Sequence, residues 1–224
     1  TNAHYGLVTG IFSLVYAIGM LFAGRIVDKL DTKKGYMWSI FIWSIGACVH
    51  SLCGVVTELA VGLPDAEALR AAIGNVDLVA RIAHISLTLF IMARCVLAIG
   101  EAGNFPAAIK ATAEYFPKKD RAYATSIFNA GSTIGALLAP FTIPTLAAKY
   151  GWEAAFIIIG ALGFVWMGFW QFLYKKPDQN PMVNAAELAY INSDNDAQPA
   201  PVVEEAAPQK KPSLWQCFGY RQTW

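Results

Sequence analysis

The chain has 224 residues, of which 56% are hydrophobic and only 15% charged, well short of the roughly one quarter charged residues typical of soluble globular domains. That balance makes a lipid bilayer the solvent for most of the sequence. A net charge of +1 argues against nucleic acid as a partner, because phosphate binding needs a concentrated basic face that this chain lacks.

Five windows reach the roughly 20 apolar residues of a membrane helix: about 5–24, 36–57, 82–108, 123–147 and 154–174. The expected fold class is all-α, a polytopic transmembrane helical bundle over residues 1–174. A cytoplasmic linker over 175–213 follows, then the start of an interfacial helix over 214–224. Basic residues set the orientation. Arg25, Lys29, Lys33 and Lys34 follow the first span, Lys118, Lys119 and Arg121 follow the third, and Lys175 and Lys176 follow the fifth. The positive-inside rule places loops 25–35, 115–123 and 175–213 in the cytoplasm and the protein in the inner cell membrane. The outer connection 58–81 opposes Glu58, Asp65, Glu67 and Asp77 to Arg70 and Arg81.

Between the first two spans lies "FAGRIVDKLDTKKGY", with Gly24, Asp28, Lys29, Lys33 and Lys34. This stretch resembles the signature between the second and third helices of the major facilitator superfamily, a tight cytoplasmic turn. The resemblance implies that Gly24 lets helices pack closely. It also implies that Asp28 meets the positive end of a helix in the other half of a carrier and parts from it when the halves rock. The superfamily pattern has a second glycine where this chain has Asp31, so a less tight turn is expected. In that register the chain corresponds to helices two to six of a twelve-helix carrier plus the central loop, a partial N-terminal half.

The third span carries "ARCVLAIGEAGNFP". Arg94 and Glu101 are seven residues apart, so on a helix they share a face with Cα atoms on the order of 10 Å apart. Each ionised residue at a helix centre costs about 2.5–3.5 kcal/mol on insertion scales unless it pairs or lines a polar cavity. A purely structural ion pair is one reading. The other is a binding site, in which a guanidinium grips a carboxylate through two parallel hydrogen bonds and a carboxyl group takes a proton.

The longer stretch "RCVLAIGEAGNFPAAIKATAEYFPKKDRAYATSIFNAGSTIGALLAP" resembles the fourth and fifth helices of the anion:cation symporter family, in its hexuronate branch. The likeness covers nearly the whole chain, including "YKKP" after the last span and the loop helix "AELAYI"; the stretch 58–81 looks like an insertion. It implies that Arg94 is a substrate arginine, Glu101 the protonatable group, and Tyr16 a substrate-contacting tyrosine. Asn129 and Ser132 point the same way from the next span, where Gly131 and Gly135 form a small-residue face for close packing. Asn104, one turn after Glu101, is placed to hydrogen-bond it or a sugar hydroxyl.

The activity so implied is import of a hexuronate by proton symport with alternating access, by a protein monomeric when full length. It needs no cofactor beyond the co-transported proton and no metal; its partners are a small carboxylated sugar and the bilayer. A carrier for another organic anion (aldonate or aromatic acid) and a non-transporting membrane sensor are the alternatives. An enzyme is not expected, since only one glutamate lies within the spans, with no histidine opposite and no catalytic motif.

Cys48, Cys53, Cys95 and Cys217 lack metal-site spacing and read as small buried hydrophobes. His4, His50 and His84 read as residues of span ends and outer loops. Tyr36, Trp38 and Tyr174 read as an inner aromatic belt and Tyr150 and Trp152 as an outer one, while Trp166 and Trp170 face lipid or packing. Pro106, Pro140 and Pro144 interrupt the helical ladder near the site. After the last span a stretch rich in Pro, Asn, Asp and Ala is expected to be disordered over about 193–211, with "NAAELAYI" helical and "SLWQCFGYRQTW" lying in the interface. The chain begins without a methionine or a charged leader and reads as a fragment.

Overall fold

The computed structural model describes residues 2–63, 68 and 74–196. Its five long helices are α1 (Asn2–Leu30), α2 (Thr32–Val61), α3 (Val76–Tyr115), α4 (Lys118–Tyr150) and α5 (Trp152–Leu173), each long and apolar enough to cross a membrane. No strand occurs among the described residues, so the fold is an all-α transmembrane bundle and the protein a multi-pass membrane protein. The helices outrun the apolar windows because polar ends continue them. Asn75 caps α3, its side chain accepting from Leu78 N at 3.2 Å, and α3 and α4 run on through Pro106, Pro140 and Pro144.

The helix α2 is central, packing along α3 on one side and α5 on the other, while α1 lies against α3. Small residues make this possible, as expected where lipid removes the hydrophobic drive and close contact must hold helices together. A Cβ added at Gly46 would lie 2.7 Å from Leu97 N, and one at Gly100 would fall on the Trp43 backbone. Gly160 and Gly163 of α5 receive Cys48 and Ser44 of α2 in the same way. By contrast, nothing lies within 4 Å of a Cβ added at Gly24, Gly131 or Gly135. The close packing expected of these three is therefore not found among the described residues. Only Ala124 of α4 is buried.

A single residue joins α1 to α2. Asp31 takes φ 70° and ψ 153°, a left-handed φ that favours glycine, so the turn is tight without the glycine and the expected loosening is absent. Two interactions offset the strain. Asp31 Oδ1 accepts from Thr32 N at 2.9 Å, capping α2, and meets Lys176 Nζ at 3.0 Å. Burial opposes the charge on Asp31, but the Lys176 ammonium and the Thr32 amide together outweigh it and hold the carboxyl below its usual range.

The same basic end carries further ties. Glu114 near the end of α3 accepts from the Thr32 and Tyr174 hydroxyls, and Tyr115 donates to the Lys175 carbonyl. Tyr36, Trp166, Trp170 and Tyr174 form one ring cluster, and Trp170 Nε1 donates to Lys33 O at 3.3 Å. These rings join α2 to α5, so Trp166 and Trp170 are engaged in packing. Past α5 come a 3₁₀ turn (Pro177–Gln179), α6 (Ala185–Ile191) and α7 (Ser193–Asp196). Tyr190 OH donates to Asp120 Oδ2 at 2.6 Å and lies under Lys119, docking α6 on the start of α4. Residues 193–196 are thus helical where disorder was expected; the rest of that stretch and the expected interfacial helix at 214–224 lie outside the described residues.

Candidate functional site

The outer halves of α1 and α3 both begin at the end opposite the basic loops and line one cleft of about 420 Å³, with Tyr5 and Thr9 on one wall and Ser86, Phe90 and Arg94 on the other. These positions recur at spacings of four, the period that keeps side chains on one helix face. Arg94 is half-buried, its guanidinium carbon 5.8 Å from the Phe12 ring centre. Phe12 stacks in turn on Tyr16 at 6.1 Å. The structure thus gathers Arg94 and Tyr16 through Phe12, a residue that sequence reasoning passed over although it lies one turn before Tyr16.

Glu101 is half-buried two turns further along α3, within electrostatic reach of Arg94. Ion pairs join Asp28 to Lys110 and Asp31 to Lys176, but none joins Arg94 to Glu101 among the described residues. The structural ion pair is not what the structure holds. Arg94 instead meets the alternative condition for a charge in a membrane, a cleft with polar groups in it.

Asn104 Oδ1 is buried without a donor; of the two partners expected for Asn104, Glu101 is not one that it meets. Asn129 and Ser132 are exposed on α4, and the Ser132 hydroxyl goes to Asn129 O at 2.9 Å. No hydrogen bond or ion pair joins either to α1 or α3 among the described residues. The Phe105 and Phe128 rings, 5.8 Å apart, are where α3 and α4 touch near these asparagines.

At the basic end, Asp28 Oδ1 meets Lys110 Nζ at 3.0 Å, a partner on α3. Lys110 also donates to Val27 O at 3.3 Å, and Lys33 donates to Gln171 O at 2.7 Å. Lys29 is exposed and Gly24 has open space. The histidines divide. His4 and His84 are exposed, but His50 is fully buried, which corrects its placement as an interfacial residue. Its Nδ1 donates to Gly46 O at 2.5 Å, and its ring stacks on Phe156 at 4.8 Å and meets Phe90 edge-on at 6.0 Å. No cluster of metal-ligating side chains occurs among the described residues.

Comparison with known proteins accords with this arrangement. The Major Facilitator Superfamily model matches residues 1–223. A galacturonate transporter of Dickeya chrysanthemi is 31% identical over 224 residues, covering 100% of this chain and 54% of that protein. A hexuronate transporter of Escherichia coli (strain K12) is 30% identical over 224 residues, 100% of this chain and 44% of its own. The probable galactarate/D-glucarate transporter GudP of the same strain is 30% identical over 186 residues, 83% of this chain and 36% of its own. The chain spans about half the length of the first two of these relatives. With membrane-length helices, a one-residue turn carrying the Gly24 to Lys33 signature, and a family match along nearly its whole length, the chain belongs to the Major Facilitator Superfamily.

Proposed function

We propose that the chain is part of a symporter that carries a hexuronate together with a proton across the inner membrane by alternating access. The observation that carries this reading is Arg94. A guanidinium with no carboxylate partner opens into a cleft on the helix face that also holds Glu101. Such a group fits a carboxylate through two parallel hydrogen bonds. The named activity of the relatives is galacturonate or hexuronate transport, and a hexuronate supplies that carboxylate.

Coupling follows from electrostatics. An anion on Arg94 neutralises the field that favours ionised Glu101, so Glu101 takes up a proton as substrate arrives and releases it as substrate leaves. Drawing one negative charge into a cell with a negative interior costs about 2.3 kcal/mol per 100 mV, which a co-transported proton cancels. A pH gradient of one unit then adds about 1.4 kcal/mol of uphill capacity. Tyr16 and Asn104 are the further sugar contacts proposed. Asn129 and Ser132 would join them through a ligand that bridges α3 and α4. Asp28 and Lys110 are proposed to hold the basic end in one of the two states.

The test is uptake of labelled galacturonate by the intact transporter in sealed vesicles under an inward proton gradient, with and without Glu101→Gln. The expected result is accumulation by the native protein and exchange without accumulation by the variant. Accumulation by the variant would move the proton site elsewhere; binding without flux in the native protein would make it a sensor.

A further inference from the structure

The outer part of the cleft is used by none of the groups above. Tyr5 and Ser86 face into it from opposite helices, and neither hydroxyl makes a hydrogen bond among the described residues. This departs from the local habit. Thr9 beside Tyr5 donates to Tyr5 O at 2.9 Å, and Thr88 beside Ser86 donates to His84 O at 2.9 Å, which is how short hydroxyl side chains are ordinarily satisfied in membrane helices. Phe90 forms the cleft wall between Ser86 and Arg94. It is held from behind by His50 at 6.0 Å and Trp152 at 5.8 Å.

The spacing suits one ligand class. Along the cleft the Arg94 guanidinium lies by the Phe12 ring, Phe90 stands one turn from Arg94 toward the N-terminal end of α3, and Ser86 stands one further turn, about 5.4 Å, beyond. From guanidinium to hydroxyl, the cleft offers a carboxylate grip, an apolar wall and then two free hydroxyls. Binding sites for small molecules have this composition, mostly apolar with a few polar groups that fix orientation.

Resting on the hexuronate reading, we infer that Tyr5 and Ser86 form a polyol subsite, receiving ring hydroxyls of a sugar acid whose carboxylate is on Arg94. They separate sugar acids from plain carboxylic acids at the outer mouth. A ligand without hydroxyls would leave both side chains unanswered.

The experiment measures Kd of the intact, purified transporter for galacturonate and for cyclohexanecarboxylate, a ring acid without hydroxyls. Tyr5→Phe and Ser86→Ala should each weaken galacturonate about three- to tenfold, the worth of one hydrogen bond, and leave cyclohexanecarboxylate unchanged. Unchanged galacturonate binding in both variants, or equal loss of both acids, would overturn the subsite while leaving the hexuronate reading in place. If the native transporter binds neither acid, the hexuronate reading itself falls.

Discussion

Four of the six charged side chains of α3 meet two different conditions. Lys110 and Glu114, at the basic end, are engaged: Lys110 with Asp28 at 3.0 Å and Glu114 with two hydroxyls. Arg94 and Glu101, nearer the middle, have neither an ion pair nor a hydrogen bond among the described residues. A protein seeking only stability would reverse this, since an exposed ion pair contributes little and an unmet charge in a membrane costs most. The difference teaches that the helix spends its stability on an open cleft and recovers it at the end where chains cross.

The sharpest way to break this comparison is to exchange the open cation. Arg94→Gln should lower substrate binding on the order of 100-fold, the worth of a charge-assisted contact, with a thermal midpoint close to that of the native protein. A matching loss on Lys110→Gln would erase the distinction between the two regions.

Next in size is the packing that keeps the cleft walls in place. Gly100→Ala forces a methyl group into the Trp43 backbone and should cost about 3 kcal/mol, whereas Gly168→Ala, with nothing within 4 Å, should be neutral or stabilising; denaturation in detergent compares them. The engaged end predicts a pH effect. Burial, and then the Glu114 carboxylate, raise the Tyr174 hydroxyl above the ordinary value of 10.0. Its contribution is therefore complete below that value and lost as pH rises above it. Tyr174→Phe should lower stability by about 1.5 kcal/mol at neutral pH and flatten the alkaline decline; an unchanged decline would remove Tyr174 from the network's titration.

Smaller effects concern the turn. Asp31→Ala keeps the unfavourable φ and loses the cap, and should cost about 1 kcal/mol, while Asp31→Gly relieves the φ and should be nearly neutral. Asp28→Asn removes a pair whose carboxylate side chain is 67% exposed, so stability should move by less than about 0.5 kcal/mol. A change in uptake rate without a change in melting would assign that pair to gating.

Much of this was legible beforehand. Apolar runs locate the spans, and the basic clusters mark one end, because both follow from composition over many residues. The Arg94 and Glu101 face is visible because helical period alone decides it. What escapes depends on which helices meet. Gly131 and Gly135 look like a packing face, yet the helices that touch do so at Gly46, Gly100, Gly160 and Gly163. His50 looks interfacial from its place near a span end, and is buried because α5 brings Phe156 across it. Glu114 could have been suspected as a carboxylate just beyond an apolar run, but its partners Thr32 and Tyr174 are 82 and 60 residues away.

The one-residue turn at Asp31 also governs how force travels. Each residue of a slack linker can absorb about 3.5 Å of displacement before it pulls, and here almost no such reserve exists. Any tilt of α1 would be handed to α2 at once through this single residue, so the two helices are joined as a stiff lever. Three glycines inserted after Leu30 would add on the order of 10 Å of play. They should uncouple motion at the mouth from motion at the base while leaving ligand binding at Arg94 intact.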